Sequence, residues 1–354
     1  MSTPTVPVPA VSTSTLEAVT RGRVRRGLRR RTVLAVLGVA VAGMVAVSLM
    51  VGQTFYPPGD VLRVILGETV PGASFTVGEL RLPRTVLALA TGLCFGMGGV
   101  TFQTMMRNPL ASPDIIGISS AAGAAAAFAI IVLNLGETGV SVFAIAAALG
   151  VALIIYVLSF KDGVAGTRLV LIGIGIAAML NSATSYILNQ AGQWDLQAAT
   201  RWLNGSLNGS TWNETVPVLI ALLVFGPVLL AQARNLTMLQ LGDDTAAALG
   251  TRLERTRLVS IVAAVGLIAF ATSATGPIAF VAFLAGPIAA RLIGPGGSLL
   301  LPSGLVGALL VLVADFLGQF AFDTRFPVGV ITGVLGAPYL IYLLVRTNRA
   351  GGSL

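Results

Sequence analysis

The residue types that commonly do chemistry are scarce in this sequence. Its 354 residues include no histidine and a single cysteine, Cys94, which lies in an apolar stretch. The commonest general base and metal ligand is therefore missing, and no constellation of nucleophile, base and metal ligands appears. The only lysine, Lys161, follows Phe160, so it cannot complete the Gly-Lys-Ser/Thr ending of a phosphate-binding loop. We predict a protein that is not an enzyme and has no catalytic residue, metal ligand or cofactor.

One polar interruption stands between two long apolar stretches. Residues 101–123 read TFQTMMRNPLASPDIIGISSAAG, with an arginine, an asparagine, two prolines and an aspartate. Pro109 and Pro113 stiffen a non-helical backbone. Such a backbone is tolerated at membrane depth only where protein or a water-filled cavity covers it. The segment is either an ordinary turn between two helices or a rigid element beside a cavity.

A short helix is predicted in the longest loop, residues 234–257. Within this loop, LGDDTAAALG at 241–250 offers Asp243 or Asp244 as an N-terminal cap, with an acid that suits the helix dipole. Three alanines propagate the helix, and Gly250 can end it in the left-handed conformation. A helix with such small side chains either fits a groove on a partner protein or is simply a well-capped helix within the loop. Spacing alone does not decide between the two.

Three charged residues lie in or beside apolar stretches. Arg81 and Arg84 come just before one stretch, where arginines often extend to lipid headgroups. Asp315 is the one clearly intramembrane charge. It is either an ion or substrate site or a hydrogen-bonded packing residue, and we favour packing because ion-coupled carriers usually need several such groups.

The elements that must position these residues are membrane helices. Hydrophobic residues make up 55% of the chain and charged residues 10%, against about 25% charged in soluble domains. Small residues recur at helical spacing, as at Gly92 with Gly96 and at Gly173 with Ala177, which lets helices pack closely. Ten apolar stretches are long enough to span a bilayer. They are 33–52, 86–106, 115–134, 139–159, 168–189, 215–233, 258–275, 277–293, 299–321 and 328–345.

The charge distribution orients the spans. Residues 21–31 contain seven arginines, and with a cytoplasmic N-terminus 17 of the 22 basic residues fall inside. The positive-inside rule favours this arrangement, so the arginines are a topology signal rather than a nucleic-acid-binding arm. We predict a disordered cytoplasmic tail over 1–31, one membrane domain over 32–346 and a short cytoplasmic tail over 347–354.

Seven motifs in this order resemble one family over nearly the whole chain after the tail. The motifs are LRLPR at 80–84, RNPLASPDIIGIS at 107–119, LNGSL at 203–207, LGDDTAAALG at 241–250, GPIAFVAF at 276–283, LLPSGLVGALLVLVAD at 300–315 and FPVGVITGVLGAPYLIYLL at 326–344. The chain resembles the permease subunits of the iron–siderophore and vitamin B12 ABC importers, the FecCD family.

This resemblance implies an all-α polytopic membrane protein with the type II ABC importer permease fold, about ten transmembrane helices and both termini cytoplasmic. It implies a bacterial plasma (inner) membrane location and a pathway formed with a second permease, identical or different. It also implies two cytoplasmic ATPase subunits that use ATP and Mg, and an extracytoplasmic substrate-binding protein. The expected substrate is an iron(III)-siderophore, and cobalamin or haem is the alternative. No nucleic acid is expected as a partner.

The resemblance also assigns roles to individual residues. The cytoplasmic gate would comprise Asn108, Leu110, Gly166 and Thr167. Docking of the binding protein would use Arg81, Arg84 and Arg325. Coupling to the ATPase would use Leu241, Gly242, Asp243, Asp244, Ala247, Leu249 and Gly250.

The sequence departs from the family pattern at two places. Gln319 stands where the family usually has an arginine, and Arg325 follows six residues later as its possible replacement. Pro287 is followed by Ile288, where the family has histidine. A gradient-driven secondary transporter is a rival interpretation, but it predicts paired intramembrane charges and inverted repeats, which the sequence does not display.

Overall fold

The fold is all-helical throughout the part that the structure describes. The computed structural model describes residues 13–113, 117–159, 166–294 and 296–349. The first half contains α1 (Thr13–Met50), α2 (Pro58–Ile65), a π-helical segment (Ser74–Arg81), α3 (Leu82–Met105), α4 (Ile118–Ile131), α5 (Glu137–Ser159), α6 (Gly166–Asn189) and α7 (Gln193–Leu203). The second half contains α8 (Trp212–Ala231), α9 (Ala233–Leu239), α10 (Asp243–Ala248), α11 (Leu253–Thr275), α12 (Val281–Ile293), α13 (Leu300–Phe320) and α14 (Val328–Arg349).

A helix overlaps each of the ten predicted spans. Among the described residues, seven helices are long and apolar enough to cross a membrane, and three shorter apolar helices complete the set. The shorter ones, α4, α12 and the first part of α14, contain or adjoin the glycines and prolines that interrupt their sequence. The outer helices α2 and α7 were not predicted, because at 8 and 11 residues they are too short for a hydropathy search.

The N-terminal tail differs from its prediction. The sequence predicted disorder through residue 31, whereas the structure continues α1 back to Thr13. No proline interrupts residues 13–50, and most of their side chains are compatible with a helix. Arg29 and Arg30 also donate hydrogen bonds to the carbonyls of Leu292 and Ser298, at 3.1 and 2.6 Å. Residues 1–12 and 350–354 lie outside the described part, so the predicted tails are not described there.

α3 is the centre of the bundle. It packs against α8, α11, α12 and α13. In the continuous helical segment Ser74–Met105 that contains α3, 83% of the most apolar 18-residue stretch is buried. Its contacts with α13 depend on the predicted glycine pair, because a Cβ on Gly96 would lie 2.1 Å from the carbonyl oxygen of Ser303. A Cβ on Gly92 would lie 2.4 Å from Cα of Ala308. The small residues therefore allow backbone-to-backbone contact.

α6, in contrast, is mostly exposed in the single chain. Only 11% of its most apolar 18-residue stretch is buried, although α6 packs against α4 and α5. The pair Gly173 and Ala177 faces Gly117 at the start of α4, where a Cβ on Gly117 would lie 3.3 Å from the Gly173 carbonyl. Most of the remaining surface of α6 is open in the single chain.

Candidate functional site

An ion pair joins two helices at the outer end of the bundle. Arg84 at the start of α3 donates from Nε and Nη2 to the two carboxylate oxygens of Asp315 on α13, at 2.9 and 2.7 Å. Its Nη1 donates to Oδ1 of Asn208 at 2.8 Å, and Gln319 donates to Asp315 at 2.8 Å. A bidentate arginine–carboxylate pair of this kind is strong and directional. The hydrogen-bonded interpretation of Asp315 is therefore the one that the structure supports.

The neighbouring Arg81 is held by backbone. Its Nη1 donates to the carbonyls of Leu49 and Met50 at the end of α1, at 2.9 and 3.0 Å, and Nη2 donates to that of Thr54 at 2.7 Å. The guanidinium also lies 5.1 Å from the ring centroid of Tyr56. These carbonyls lack helical partners, and a cation suits the negative end of a helix. Arg81 thus joins α1 to α3.

A polar cavity of about 340 Å³ lies between these two arginines. Arg325, from the segment between α13 and α14, lines the same cavity and is exposed. Gln319 also lines it and contacts Asp315 rather than supplying a charge. The structure therefore brings the three predicted docking arginines to one opening, where Arg81 and Arg84 bind groups of their own chain.

The inner polar interruption is a compact turn. The backbone amide of Asn108 donates to the Gln103 carbonyl at 3.1 Å, and its side-chain oxygen accepts from the Leu110 amide at 2.9 Å. Arg107 just before it has a φ of 49°, in the left-handed region that non-glycine residues rarely adopt. Hydrogen bonds thus connect residues 103, 108 and 110 of the turn, while residues 114–116 of the same segment lie outside the described part.

A larger cavity of about 670 Å³ opens beside this turn. It is lined mainly by apolar side chains, together with a few hydroxyl and amide groups. Leu110 lines it from the turn, Asn181 and Thr184 from α6, and Phe280 and Phe283 from α12 and its preceding residue. Gly166 and Thr167, the other predicted gate residues, begin α6. Residues 160–165 ahead of them lie outside the described part.

Phe280 is a cavity residue that the sequence did not single out. Its φ of 64° is left-handed, which is a genuine outlier for a bulky side chain. A Cβ on Gly336 of α14 would lie 2.5 Å from Cβ of Phe280, so α14 is in close contact here. Such strain persists where neighbours over-determine it, often at functional sites. Its membership of the GPIAFVAF motif was the one available signal.

The predicted cytoplasmic helix exists as α10, with a different cap. Gly242 is the N-cap, with a φ of 103° and no side-chain cap bond, so neither Asp243 nor Asp244 caps the helix. The Asp243 carboxylate instead accepts from Arg107 and, at 2.7 Å, from Nη2 of Arg257. The cap prediction was wrong because two arginines compete for that carboxylate.

The C-terminal end and surface of α10 fit the prediction better. Gly250 is left-handed, with a φ of 84°, as expected of a helix-ending glycine. The side chains of Leu241, Ala247 and Leu249 are exposed, while Ala246 packs inward. The helix therefore presents an apolar, small-sided surface away from the bundle. No group of three or more potential metal-ligating side chains occurs among the described residues.

The chain is similar to one family model and to several permease proteins. A model described as the FecCD transport family matches residues 39–346. The ferric enterobactin transport system permease protein FepG of Escherichia coli strain K12 is 36% identical over 330 residues, covering 92% of this chain and 98% of that protein. The achromobactin transport system permease protein CbrC of Dickeya dadantii is 38% identical, covering 93% and 96%.

A cobalamin permease and one solved structure are also similar. The cobalamin import system permease protein BtuC of Halobacterium salinarum is 37% identical over 274 residues, covering 77% of this chain and 74% of that protein. A metal-chelate type ABC transporter solved in an inward-facing conformation superposes with a TM-score of 0.80 at 25% identity. That likeness covers 89% of this chain and 99% of the solved one.

Proposed function

The chain belongs to the FecCD transport family, and we propose that it forms, with a second permease, the pathway for an iron(III)-siderophore complex. Membership confirms the resemblance drawn from the seven motifs. The protein is a multi-pass inner-membrane permease subunit of an ABC importer and not an enzyme, since ATP is hydrolysed by a separate subunit. Importers of this family work with an ATPase and a binding protein.

The cavity beside α6 is the observation that carries this proposal. Asn181 lines the cavity, and Asn181, Ser182 and Ser185 are exposed on α6 in the single chain. These residues lie in the second half of α6, where the hydroxyls of Ser182 and Ser185 donate to carbonyls of their own helix at 3.0 Å. The Asn181 amide would be costly against lipid, so this face should meet protein or a water-filled cavity. A second permease against α6 would cover these groups and enclose the cavity. The subunits that co-purify with this chain distinguish a second copy from a homologue as the partner.

Iron in a chelate is the substrate that this cavity suits. The lining is mostly apolar with a few hydroxyl and amide groups, which fits an organic ligand better than a bare cation. A chelated iron brings its own ligands, so the pathway needs none. FepG and CbrC are named for ferric enterobactin and achromobactin transport. Cobalamin is the second candidate, favoured by the likeness to BtuC, with haem as a further alternative.

The cytoplasmic residues divide into a gate and a coupling helix. Asn108 and Leu110 form a turn beside the cavity, and Gly166 with Thr167 would close it from the start of α6. The exposed surface of α10 would insert into a cleft of one ATPase, and the complex would contain two such ATPase subunits, one for each permease. The coupling residues are Leu241, Gly242, Asp243, Asp244, Ala247, Leu249 and Gly250.

The test is to tag this chain, extract its complex from the native membrane and reconstitute it with the co-purifying subunits. We expect an ATPase at fixed stoichiometry and ATP-dependent uptake of one of four probes: ferric enterobactin, ferric achromobactin, ferric citrate or cobalamin. A second, different permease would identify a heterodimer. Uptake without any ATPase would contradict the proposal, and preferred uptake of cobalamin would replace the siderophore.

Replacing Arg325 with glutamine should weaken docking of the binding protein. Arg325 is exposed at the outer cavity, where a cation attracts acidic residues of a partner. We expect about a 2- to 5-fold loss of affinity, the scale of one exposed ion pair, and a weaker salt dependence. The measurement is the affinity of the co-purified binding protein for reconstituted complex at low and high salt.

Arg63→Gln is the control for this substitution. Arg63 is also an exposed outer arginine, but its Nε donates to Glu68 at 2.6 Å, so its charge is already paired. We expect its affinity and salt dependence to match the wild type. Equal behaviour of the two variants would remove Arg325 from the docking surface.

A further inference from the structure

We propose that Arg107 and Asp243 form a link through which movement of α10 reaches the cytoplasmic turn at Asn108. The link makes Arg107 a positioning residue for the gate, a role that neither its sequence nor the comparisons assign. The inference rests on the proposed function, in which an ATPase displaces α10. Arg107 and Asp243 would be the side chains that connect the ATPase contact to the pathway.

One carboxylate holds three segments together. Asp243, the first residue of α10, accepts from Nη2 of Arg107 at its Oδ1 and from Nη2 of Arg257 at its Oδ2, the latter at 2.7 Å. Arg107 also donates from Nε to the Leu239 carbonyl at the end of α9, at 2.9 Å. Arg257 lies in the first turns of α11. The turn after α3, the α9–α10 corner and α11 therefore meet at one point.

The backbone around Arg107 connects this contact to the rest of the turn. Arg107 has a φ of 49°, and the next residue, Asn108, anchors the turn through bonds to Gln103 and Leu110. Because these hydrogen bonds connect the backbone on both sides of Asn108, a displacement of Arg107 would be passed to the turn. Leu110, at the far side of the same turn, lines the cavity of about 670 Å³.

The turn also has room to move. A separate cavity of about 280 Å³ lies on its other side, bordered by Arg107, Asn108 and Pro109 from the turn and by Gly286 and Pro287 from α12. Close-packed interiors resist displacement, whereas an unfilled space beside a turn permits it. A pull on Arg107 from α10 therefore acts on a turn that borders unfilled space at Arg107, Asn108 and Pro109.

Stability alone does not account for the link. The side chains of Arg107 and Asp243 are 42% and 41% exposed, and ion pairs this exposed contribute little to stability. Glu254, an acid near the start of α11, also pairs with Arg257, at 3.9 Å, but among the described residues its carboxylate has no hydrogen bond or ion pair with the turn after α3. Asp243 and Glu254 thus differ in whether they contact the turn.

This difference supplies a matched pair for the test. We would compare Asp243→Asn with Glu254→Gln in the complete complex purified through a tag on this chain. The readouts are ATP hydrolysis, the amount of ATPase retained, and uptake of whichever of the four probes the wild type accumulates. Asp243→Asn should keep its ATPase and hydrolyse ATP while uptake per ATP falls by about 5-fold or more, the scale of a coupling free energy. Glu254→Gln should match the wild type, because it removes a contact of Arg257 but none of Arg107.

A double-variant cycle tests whether the two side chains act together. Arg107→Gln should resemble Asp243→Asn, and the combined variant should lose less than the product of the two single losses, because both single variants remove the shared Arg107–Asp243 contact. Arg107→Lys, which keeps the charge, should restore part of the uptake per ATP. Multiplied losses in the combined variant would overturn the link.

The remaining outcomes are equally decisive. Equal behaviour of Asp243→Asn and Glu254→Gln would overturn the inference and leave the proposed function intact. Loss of the ATPase from the Asp243→Asn complex would also overturn it, because Asp243 would then serve assembly. A wild-type complex without ATP-driven uptake would instead overturn the proposed function, and this inference with it.

Discussion

Replacing Gly99 with alanine should strongly destabilise the protein. A Cβ on Gly99 would lie 1.9 Å from the carbonyl oxygen of Ala282 and 2.6 Å from its carbonyl carbon. Both atoms are backbone, so no rotamer change can relieve the overlap, and α3 and α12 must separate at the centre of the bundle. Overpacking of this kind costs about 1–3 kcal/mol and occasionally more. We expect a lower yield of folded protein and a thermal midpoint lower by several degrees.

Gly150→Ala is the matched control. Gly150 lies within a helix that is also a candidate span, α5, but no atom lies within 4 Å of a Cβ built there. Alanine at this position should leave the midpoint unchanged or raise it slightly, since alanine favours a helix over glycine. The midpoint of each tagged variant can be measured in detergent from its heat-induced aggregation. Equal midpoints for the two variants would show that α3 and α12 do not pack as described.

Replacing Asp315 with alanine should also strongly destabilise the protein. It would leave the Arg84 guanidinium, whose side chain is only 18% exposed, without the carboxylate that holds two of its nitrogens. Removing one partner of a buried ion pair costs about 3–5 kcal/mol, and this partly accessible pair should fall near the lower end. The loss should appear as a lower thermal midpoint and as easier separation of α3 from α13 at the outer end.

Two further variants separate the unpaired charge from a loss of packing. Asp323→Ala removes an exposed carboxylate just beyond α13 and should have little effect. Adding Arg84→Leu to Asp315→Ala should recover part of the stability, because the unpaired cation is then gone. If Asp315→Ala were as stable as Asp323→Ala, the ion pair would contribute nothing to the fold. If Arg84→Leu lowered the stability of Asp315→Ala further, the Arg84 hydrogen bond to Asn208 would outweigh the cost of the unpaired cation.

The spans were predictable because their signal is local. The stretch predicted at 139–159 is α5, at Glu137–Ser159, and the stretch at 258–275 lies in α11, at Leu253–Thr275. A bilayer requires about 20 consecutive apolar residues, and basic loops select the cytoplasmic side, so hydropathy and charge are sufficient. The glycine pair at 92 and 96 was equally readable, since small residues four apart must lie on one face of a helix.

The polar sites were only partly predictable. The sequence drew attention to Arg84 and Asp315 separately, as a docking residue and a packing residue, and could not join them across 231 positions. It gave Asn208 no role, although that side chain also accepts from Arg84. Arg107 and Asp243 were likewise quoted in separate motifs and are 136 positions apart. The assignment of Asp243 to a helix cap used only its immediate neighbours.

The sequence by itself thus determined the class of protein and the stretches in which its apolar helices lie, and it predicted their direction from the charge of the loops. Only the tertiary structure decided which polar side chains meet and which cavity the turn at Asn108 borders. It also decided that α1 continues to Thr13, with Arg29 bound to the end of α12 and Arg30 to the loop after it. The physical reason is the range of the interactions. Transfer of a segment into lipid depends on that segment alone, whereas an ion pair between two helices depends on which helices are neighbours and how each is rotated. Those arrangements follow from packing across the whole bundle, as where Gly92 and Gly96 bring α3 against α13.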